Sequence, residues 1–171
     1  MKKQLSKAEV EAINVELRLI FGKEFFAKKQ RVELLNDKES GLEIILVDAL
    51  PWFFKQNTLQ HSSLSSTSLL AVSWLPHLKF ILTNCFLKRI TVDKGAIPFV
   101  VKGADIMRPG IVAVDEGIAV NELVVIIDQT HSKPIAIGKA LFSTADMFAL
   151  KSGKCIQNLH FIGDKAWQIV V

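Results

Sequence analysis

Apolar residues near the start of the chain recur at the spacing of one face of a helix. These positions are Val10, Ile13, Leu17 and Ile20. Ser6 and Glu9 form a capping-box pattern ahead of them, and Gly22 behind them can end a helix. The pattern therefore predicts one amphipathic helix with a solvated charged face.

The apolar spacing changes to that of strands after this helix. Runs at 31–35 and 42–47 have the composition and length of strands, and the polar stretch 36–41 between them predicts a turn. Trp52-Phe53-Phe54 is a candidate third strand. The segment therefore predicts two strands joined by a turn, with a third close behind.

Periodicity disappears beyond this region. Residues 57–68 are rich in Ser, Gln and Thr, which predicts a mobile loop that contains the serine-rich stretch 62–68. A second short helix is predicted over 77–83, after Pro76. No internal repeat is visible.

The chain changes character near Ile90, because glycine and proline recur from there between short apolar runs. The runs lie at 111–114, 123–127, 135–141 and 166–171. Turns are predicted at 115–117 and 131–134, and a helical turn opens at Ser143. Several short strands separated by turn residues predict a small barrel or sandwich.

The change in character divides the chain into two predicted domains. A chain of 171 residues can form one large domain or two small ones. We place the boundary near Arg89. The predicted fold class is α+β, with a small N-terminal α+β domain over 1–89 and a β domain over 90–171.

Residues 92–111 carry the most local information, and they read VDKGAIPFVVKGADIMRPGI. Pro98 fits only in the first turn of a helix, so a helix is predicted to start near Ala96, capped from the Asp93 side. Gly103 is a left-handed C-terminal cap. Pro109-Gly110 fits the centre of a type II turn with Gly110 at positive φ. The segment therefore predicts a short helix, a glycine loop and a strand.

The same segment resembles a known family. Residues 103–111, GADIMRPGI, resemble the signature of the PUA domain, named for pseudouridine synthases and archaeosine transglycosylases, and 137–141, IGKAL, resembles its later strand. The blocks 92–111 and 158–167 are similar to the malignant-T-cell-amplified-sequence proteins, their archaeal relatives and the matching part of ligatin. The resemblance is strong over 90–171 and weaker before it. It implies a small pre-PUA domain and a six-stranded pseudobarrel with a short helix.

The resemblance also implies that structured RNA binds beside the short helix and the glycine loop. The candidate RNA-binding residues are Lys94, Lys102, Gly103, Ala104, Arg108, Pro109, Gly110, Lys139 and Lys165. A glycine-bearing turn can leave N–H groups free for phosphate oxygens, and the cations supply positive charge. A-form RNA is recognised largely through phosphate, shape and 2′-hydroxyl contacts. Each residue also has a plain structural interpretation, as a turn residue or a solvated charge.

The amino-acid composition restricts the possible functions but does not indicate one. The net charge of +4 and the pI of about 9.1 suit an acidic partner but are too mild to indicate one alone. Cys85 and Cys155 lie in no C-x-x-C pattern and are interpreted as buried hydrophobes in a reducing compartment. Nothing requires a disulfide between them. The four histidines show no metal-ligand spacing, so we expect no metal and no cofactor.

The targeting signals that the sequence could carry are weak. No stretch approaches the ~20 apolar residues that span a bilayer. Glu9, Glu11, Glu16 and Arg18 interrupt what would be the apolar region of a signal peptide after the first lysines. We therefore expect a cytoplasmic protein.

Three functions are compatible with these residues. The first is non-catalytic RNA binding in translation, to tRNA or small-subunit ribosomal RNA; the resemblance adds the small ribosomal subunit and an initiation-factor-like protein as partners. The second is an RNA-modifying enzyme or its accessory, but the region before Ile90 has no nucleophile beside a base and no phosphate loop. The third is a protein-interaction module. Its candidate contacts are Trp52, Phe53, Phe54, Trp74 and the segment 80–87.

Overall fold

The computed structural model describes residues 1–27, 29–56 and 73–169. The chain forms two compact units, Met1–His77 and Leu78–Val170. The predicted domain boundary near Arg89 stays a prediction beside this division. The predicted loop over 57–68 lies outside the described residues.

The first unit is an antiparallel sheet with one helix. The helix is α1 (Lys7–Phe21), and the strands are β1 (Lys2–Gln4), β2 (Val32–Asp37), β3 (Leu42–Val47), β4 (Leu50–Gln56) and β5 (Leu75–Pro76). The five strands are paired in chain order, β1-β2-β3-β4-β5. The strand predictions at 31–35, 42–47 and 52–54 are confirmed, whereas β1 was not predicted.

Both ends of α1 follow from local sequence. The Ser6 side chain accepts a hydrogen bond from the Glu9 N–H, and the Glu9 carboxylate accepts one from the Ser6 N–H. Gly22 closes the helix with φ of 72°. Hydrogen bonds from the Lys3 ammonium and from Ser6 lower the pKa of Glu9 to about 2. The predicted capping box and glycine stop are confirmed.

The aromatic residues proposed for partner docking are largely core residues. Phe53, Phe54, Trp74 and Phe80 are all buried, each with at most 6% of its surface exposed. Phe53 lies within 6.2 Å of the ring centres of Phe21, Phe25 and Phe26. The expectation that these side chains contact a partner is therefore wrong for these four, because their surface is already used in packing.

The second unit is a mixed six-stranded sheet with short helices at its turns. The helices are α2 (Leu78–Ile81), α3 (Ile97–Val100), α4 (Thr144–Ala149) and α5 (Lys165–Gln168), and the strands are β6 (Lys88–Val92), β7 (Ile106–Met107), β8 (Ile111–Val114), β9 (Leu123–Asp128), β10 (Pro134–Ala140) and β11 (Lys154–Phe161). The order is β7-β11-β10-β9-β6-β8, with only β6 and β9 parallel. The α+β class with a six-stranded near-barrel is confirmed.

Alternation along the central strands separates two apolar clusters in this unit. Val124 and Ile126 of β9 belong to the larger cluster, with Val92, Ile106 and Ile156. Their neighbours Val125 and Ile127 belong to a second cluster on the other face, with Leu78, Ile81 and Ile137. Both faces of β9 are therefore buried, which explains its continuous apolar run.

The C-terminal strand predicted over 166–171 is wrong for residues 166–168, and residues 170 and 171 lie outside the described residues. Residues Lys165–Gln168 form α5, and Trp167 packs against the second apolar cluster from this helix. The Asp164 carboxylate accepts a hydrogen bond from the Trp167 N–H at 2.9 Å and so caps the helix. The apolar run 166–171 has the composition of a strand, but Asp164, two residues before it, caps a helix that includes its first three residues.

One of the two cysteines differs from expectation. Cys155 is buried in the larger cluster, as predicted, and burial raises the pKa of its thiol. Cys85 is exposed, so its predicted burial is wrong. Both are free thiols.

His160 joins β11 to the start of α2 and to α5. Its Nε2 accepts a hydrogen bond from the Leu78 N–H at 3.1 Å, so this nitrogen has no proton, and Nδ1 then donates to Asp164 at 2.7 Å. Burial works to raise the pKa of Asp164, but the hydrogen bond from His160 and those from two backbone N–H groups outweigh it. The net pKa of Asp164 lies below its usual range.

Asp164→Asn is expected to lower the free energy of unfolding at neutral pH by about 2 kcal/mol, because the charged acceptor of three hydrogen bonds is lost. A carboxyl with a lowered folded pKa stabilises the fold above its unfolded pKa of about 3.9, and this stabilisation is lost as pH falls through the folded pKa. The wild type should therefore lose more stability on acidification than the variant. Urea unfolding at pH 7 and pH 3 checks this, with Glu116→Gln in an exposed turn as control. An equal loss in both proteins would contradict it.

Candidate nucleic-acid interface

The short helix α3 ends as the sequence predicts. Pro98 lies in its first turn, and the Ala96 N–H at its start donates to the Asp93 carboxylate at 2.8 Å. At the other end, Gly103 has φ of 91°. The Gly103 N–H donates to the Val100 carbonyl at 3.0 Å and the Ala104 N–H to the Phe99 carbonyl at 3.1 Å. These two bonds are those of a Schellman motif, so Gly103 is the left-handed residue that closes the helix.

The expectation that this turn leaves N–H groups free for phosphate is wrong for Gly103 and Ala104. Both N–H groups are used to close α3, since the end of a helix leaves unpaired carbonyl oxygens rather than unpaired N–H groups. Gly103 has a second constraint: an added Cβ would lie 2.8 Å from the Phe161 ring. Binding by Gly103 and Ala104 would therefore depend on close approach of the ligand rather than on their amides.

The Pro109-Gly110 turn is also different from the prediction. Residues Arg108–Gly110 form a single 3-10 turn, and Gly110 is not among the residues with positive φ, so the turn is not type II. Glycine is needed here for proximity instead, because an added Cβ would lie 3.0 Å from the Ala96 Cβ. The Asp93 N–H donates to the Gly110 carbonyl at 2.9 Å. This contact holds the turn against the loop that carries Lys94.

Arg108 has a structural role in this turn. Its Nε donates to the Met147 carbonyl at 2.7 Å, and its Nη1 donates to the Ile111 carbonyl at 3.0 Å. The guanidinium therefore ties the turn to α4 and to β8, and it is half-buried. An RNA contact from Arg108 would have to use its remaining N–H donors.

Asn158 holds the glycine loop onto β11, which the sequence alone did not indicate. Its side-chain amide donates to the Val100 and Ala104 carbonyls, each at 3.0 Å. Its backbone N–H donates to the Asp105 carboxylate at 2.9 Å, and Asp105 also pairs with Lys154 at 3.1 Å. The end of α3 is therefore fixed by side-chain contacts from a strand far away in sequence.

Lys94 and Lys102 are the exposed cations on the two sides of α3. Among residues 1–27, 29–56 and 73–169, the ion pairs found involve neither of them, although they include Lys88–Glu122 and Lys154–Asp105. Nearby carboxylates are occupied: Asp93 accepts from Ala96, and Asp105 accepts from Asn158 and Lys154. The two lysines therefore flank α3, and the Asp93–Gly110 hydrogen bond places the 3-10 turn beside the loop that carries Lys94.

The other two predicted cations lie elsewhere on the second unit. Lys139 is half-buried on β10, on the same face as Ile137 and therefore on the side of the second apolar cluster. Lys165 is exposed on α5, whose Trp167 packs against that same cluster. Both lysines therefore belong to the side of the sheet that faces the second apolar cluster, opposite to Ile156 and the larger cluster. Their part in RNA binding stays a prediction.

The described part of the chain has no group of three or more His, Cys, Asp or Glu side chains placed to hold a metal ion. Within the same residues, none of the helices is both long enough and apolar enough to cross a membrane.

Comparison with known proteins places the chain among PUA-domain proteins. The family model described as PUA domain matches residues 88–162. An uncharacterized protein of Methanocaldococcus jannaschii is 39% identical over 166 residues, covering 95% of this chain and 93% of that protein. A hypothetical protein from Pyrococcus horikoshii OT3 has a crystal structure similar to this one, with a TM-score of 0.75, 30% identity and 100% coverage of both chains.

Two eukaryotic relatives are also similar over most of the chain. Translation machinery-associated protein 20 of Saccharomyces cerevisiae is 27% identical over 156 residues, covering 86% of this chain and 77% of its own length. Malignant T-cell-amplified sequence 1-B of Xenopus laevis is 28% identical over 146 residues, covering 83% of this chain and 73% of its own. The resemblance noted in residues 92–111 and 158–167 is therefore confirmed.

Proposed function

This chain belongs to the PUA-domain proteins, and from that premise we propose that it is a non-catalytic RNA-binding protein associated with translation. The proposed ligand is structured RNA, either tRNA or small-subunit ribosomal RNA. Two relatives support the association with translation through their names and their similarity over most of the chain. A role of this kind would place the protein in the cytoplasm, with the small ribosomal subunit and an initiation-factor-like protein as proposed partners.

One observation carries the proposal: Lys94 and Lys102 are exposed on both sides of α3, and the carboxylates beside them already accept other hydrogen bonds. Solvated lysines gain little from isolated surface ion pairs, but several cations on one surface attract a polyanion strongly. The two lysines are attached to turns with fixed backbones. The fold therefore sets the positions from which the two flexible side chains extend, and each can reach a phosphate beside α3.

The remaining predicted residues have lesser parts in this proposal. Gly103, Ala104, Pro109 and Gly110 are proposed to line the RNA-binding surface beside α3, where the two glycines would let a ribose-phosphate chain approach closely. Arg108 supports the turn and contributes charge. Lys139 and Lys165 are proposed as outer contacts for a long RNA that continues past the edge of the sheet.

The absence of catalysis is part of the proposal and has its own test. Asp105, Asp128 and Asp164 of the second unit each accept hydrogen bonds that fix a turn or a helix end, which leaves them poorly placed to act on a substrate. We expect unmodified tRNA to be recovered unchanged after incubation with the protein. Mass spectrometry of the nucleosides checks this, and any new modified nucleoside would favour the RNA-modifying alternative.

Lys94→Ala with Lys102→Ala is expected to weaken binding of structured RNA by about tenfold or more, because two contacts to phosphates are lost. The slope of log affinity against log salt should become shallower by about 2. Fluorescence polarisation with labelled tRNA and a small-subunit RNA hairpin, over a series of salt concentrations, measures both quantities.

Lys133→Ala is the matched control, since Lys133 is an exposed lysine of the same unit in the turn between β9 and β10. Its affinity and salt dependence should equal those of the wild type. The proposal fails if the wild type binds neither RNA, or if the double variant binds with unchanged affinity and slope.

A further inference from the structure

A cleft of about 670 Å³ lies in the first unit, between α1 and the segment 24–31 that leads to β2. Lys7, Val10 and Asn14 lie three or four positions apart on one face of α1 and line one side of this α1 cleft. The segment 24–31 lines the other side. Binding sites for small molecules typically enclose about 300–1,000 Å³. The α1 cleft therefore has the size of a small-molecule site, and sequence reasoning had assigned it no role.

The two sides of the α1 cleft are held together by hydrogen bonds. Asn14 is buried, and its Oδ1 accepts from the Phe25 and Phe26 N–H groups at 3.2 and 3.1 Å. Its Nδ2 donates to the Phe26 carbonyl at 3.1 Å. The Gln30 N–H donates to the Ala27 carbonyl at 3.0 Å, and the Ala27 N–H donates to Gln30 Oε1 at 3.2 Å. The cleft is thus formed before a ligand enters, which lowers the entropic cost of binding.

The charged side chains of the α1 cleft leave two cations available to a ligand. The cations are Lys7, Lys29 and Arg31, and the carboxylates are Glu11 and Glu24. Both carboxylates pair with the Arg18 guanidinium, and Arg31 pairs with Glu33 at 2.9 Å. In the part of the chain that the structure describes, the ion pairs found involve neither Lys7 nor Lys29. The cleft therefore favours an anion.

Apolar side chains beside these cations set the rest of the ligand. Leu5 and Val10 line the cleft and are partly exposed, so an inorganic ion would leave their surface in water. We propose that the α1 cleft binds a small organic phosphate, whose phosphate contacts Lys7 and Lys29 and whose apolar or ring-shaped body covers Leu5 and Val10. A phosphate monoester carries about −1.5 to −2 charges at pH 7, which matches two unpaired lysines better than a single carboxylate does. The inference uses only the first unit and is independent of the proposed RNA binding.

The test compares two organic phosphates with the two halves of each. AMP and phenyl phosphate are titrated into the 171-residue chain beside adenosine, phenol and inorganic phosphate. Each ester should bind at least about tenfold more tightly than its parent alcohol and than inorganic phosphate, because both parts are recognised. Amide NMR spectra measure the affinities and locate the site. The signals of Val10, Ala27 and the Asn14 side-chain amide should move, and those of the exposed turn residue Lys38 should not.

Lys7→Ala with Lys29→Ala should weaken binding of both esters by about tenfold or more, whereas Lys7→Arg with Lys29→Arg should retain it. Lys38→Ala is the matched control, since Lys38 is an exposed lysine of the same unit outside the cleft. Ala27→Trp adds a large side chain at an exposed position of the cleft lining. It should weaken both esters and leave the binding of inorganic phosphate unchanged. Circular dichroism checks that each variant is folded.

The inference is overturned if neither ester binds more tightly than its two halves, or if the signals that move lie outside the α1 cleft. It is also overturned if the double alanine variant keeps the wild-type affinity, or if Lys38→Ala loses as much. Tighter binding of a 5′-phosphorylated RNA oligonucleotide than of AMP would overturn the assignment to a free small molecule. None of these measurements uses Lys94 or Lys102, so failure here leaves the proposed RNA binding to its own test.

Discussion

Gly138→Ala is expected to lower the free energy of unfolding of the second unit by about 3 kcal/mol. A Cβ added at this position on β10 would collide with Ile156 Cγ2 and would lie 2.8 Å from the Gln157 carbonyl oxygen. The register between β10 and β11 shifts between Ile137 and Gly138, next to this close contact. The carbonyl belongs to the strand backbone and cannot move without disturbing the sheet, so the strain cannot be relieved by a rotamer change.

Urea unfolding followed by circular dichroism measures this effect. Gly95→Ala is the control, because its added Cβ would meet only the side-chain oxygen of Asp93, at 3.3 Å, in an exposed turn. We expect the control to cost less than about 1 kcal/mol. If the two variants were equally stable, the close approach of β10 and β11 at Gly138 would be disproved.

Arg108→Glu is expected to lower the free energy of unfolding by about 3 kcal/mol. The substitution removes the two hydrogen bonds that the guanidinium donates to the Met147 and Ile111 carbonyls. It also places a carboxylate beside those carbonyl oxygens, and none of these groups can donate to another. Arg108→Lys keeps the charge but offers no planar pair of donors, so about half of the loss is expected to remain.

Lys102→Glu is the control for this prediction, because Lys102 is exposed and takes part in no ion pair among the described residues. Its effect on stability should stay within about 0.5 kcal/mol, although it reverses a charge in the same region. Thermal unfolding of both variants, compared with their RNA affinities, separates the two roles. A stable Arg108→Glu protein with weakened RNA binding would show that Arg108 is a direct RNA contact and that its hydrogen bonds contribute little.

Substitutions of Arg108 and of Lys102 therefore affect different properties of the protein, its stability and its RNA affinity. A charge reversal that combines Arg108 and Lys102 would mix loss of folding with loss of phosphate contacts. Lys94 and Lys102 provide a cleaner pair, since both are exposed and neither side chain is needed to close a turn. Binding data on Arg108 variants therefore require a measured folded fraction.

Local sequence determined the features whose hydrogen bonds close within a few residues. Ser6, Glu9 and Gly22 delimit α1, and Asp93 and Gly103 delimit the helical turn around α3. Each of these contacts spans five residues or fewer, so the residues that make them are adjacent in the pattern. The signature at 103–111 was specific for the same reason, since it encodes a turn and the strand that follows.

Tertiary structure decided the features whose partners are distant in sequence. The Arg108 guanidinium donates a hydrogen bond to the Met147 carbonyl, and the Asn158 side chain fixes the end of α3. Position 110 favours glycine because the Ala96 side chain lies against it. The run 166–171 is apolar enough for a strand, yet Asp164 caps a helix there while it also holds His160. Spacing along the chain cannot specify which distant group a side chain will meet. That depends on how strands pair and on how closely they approach, and only the folded chain determines both.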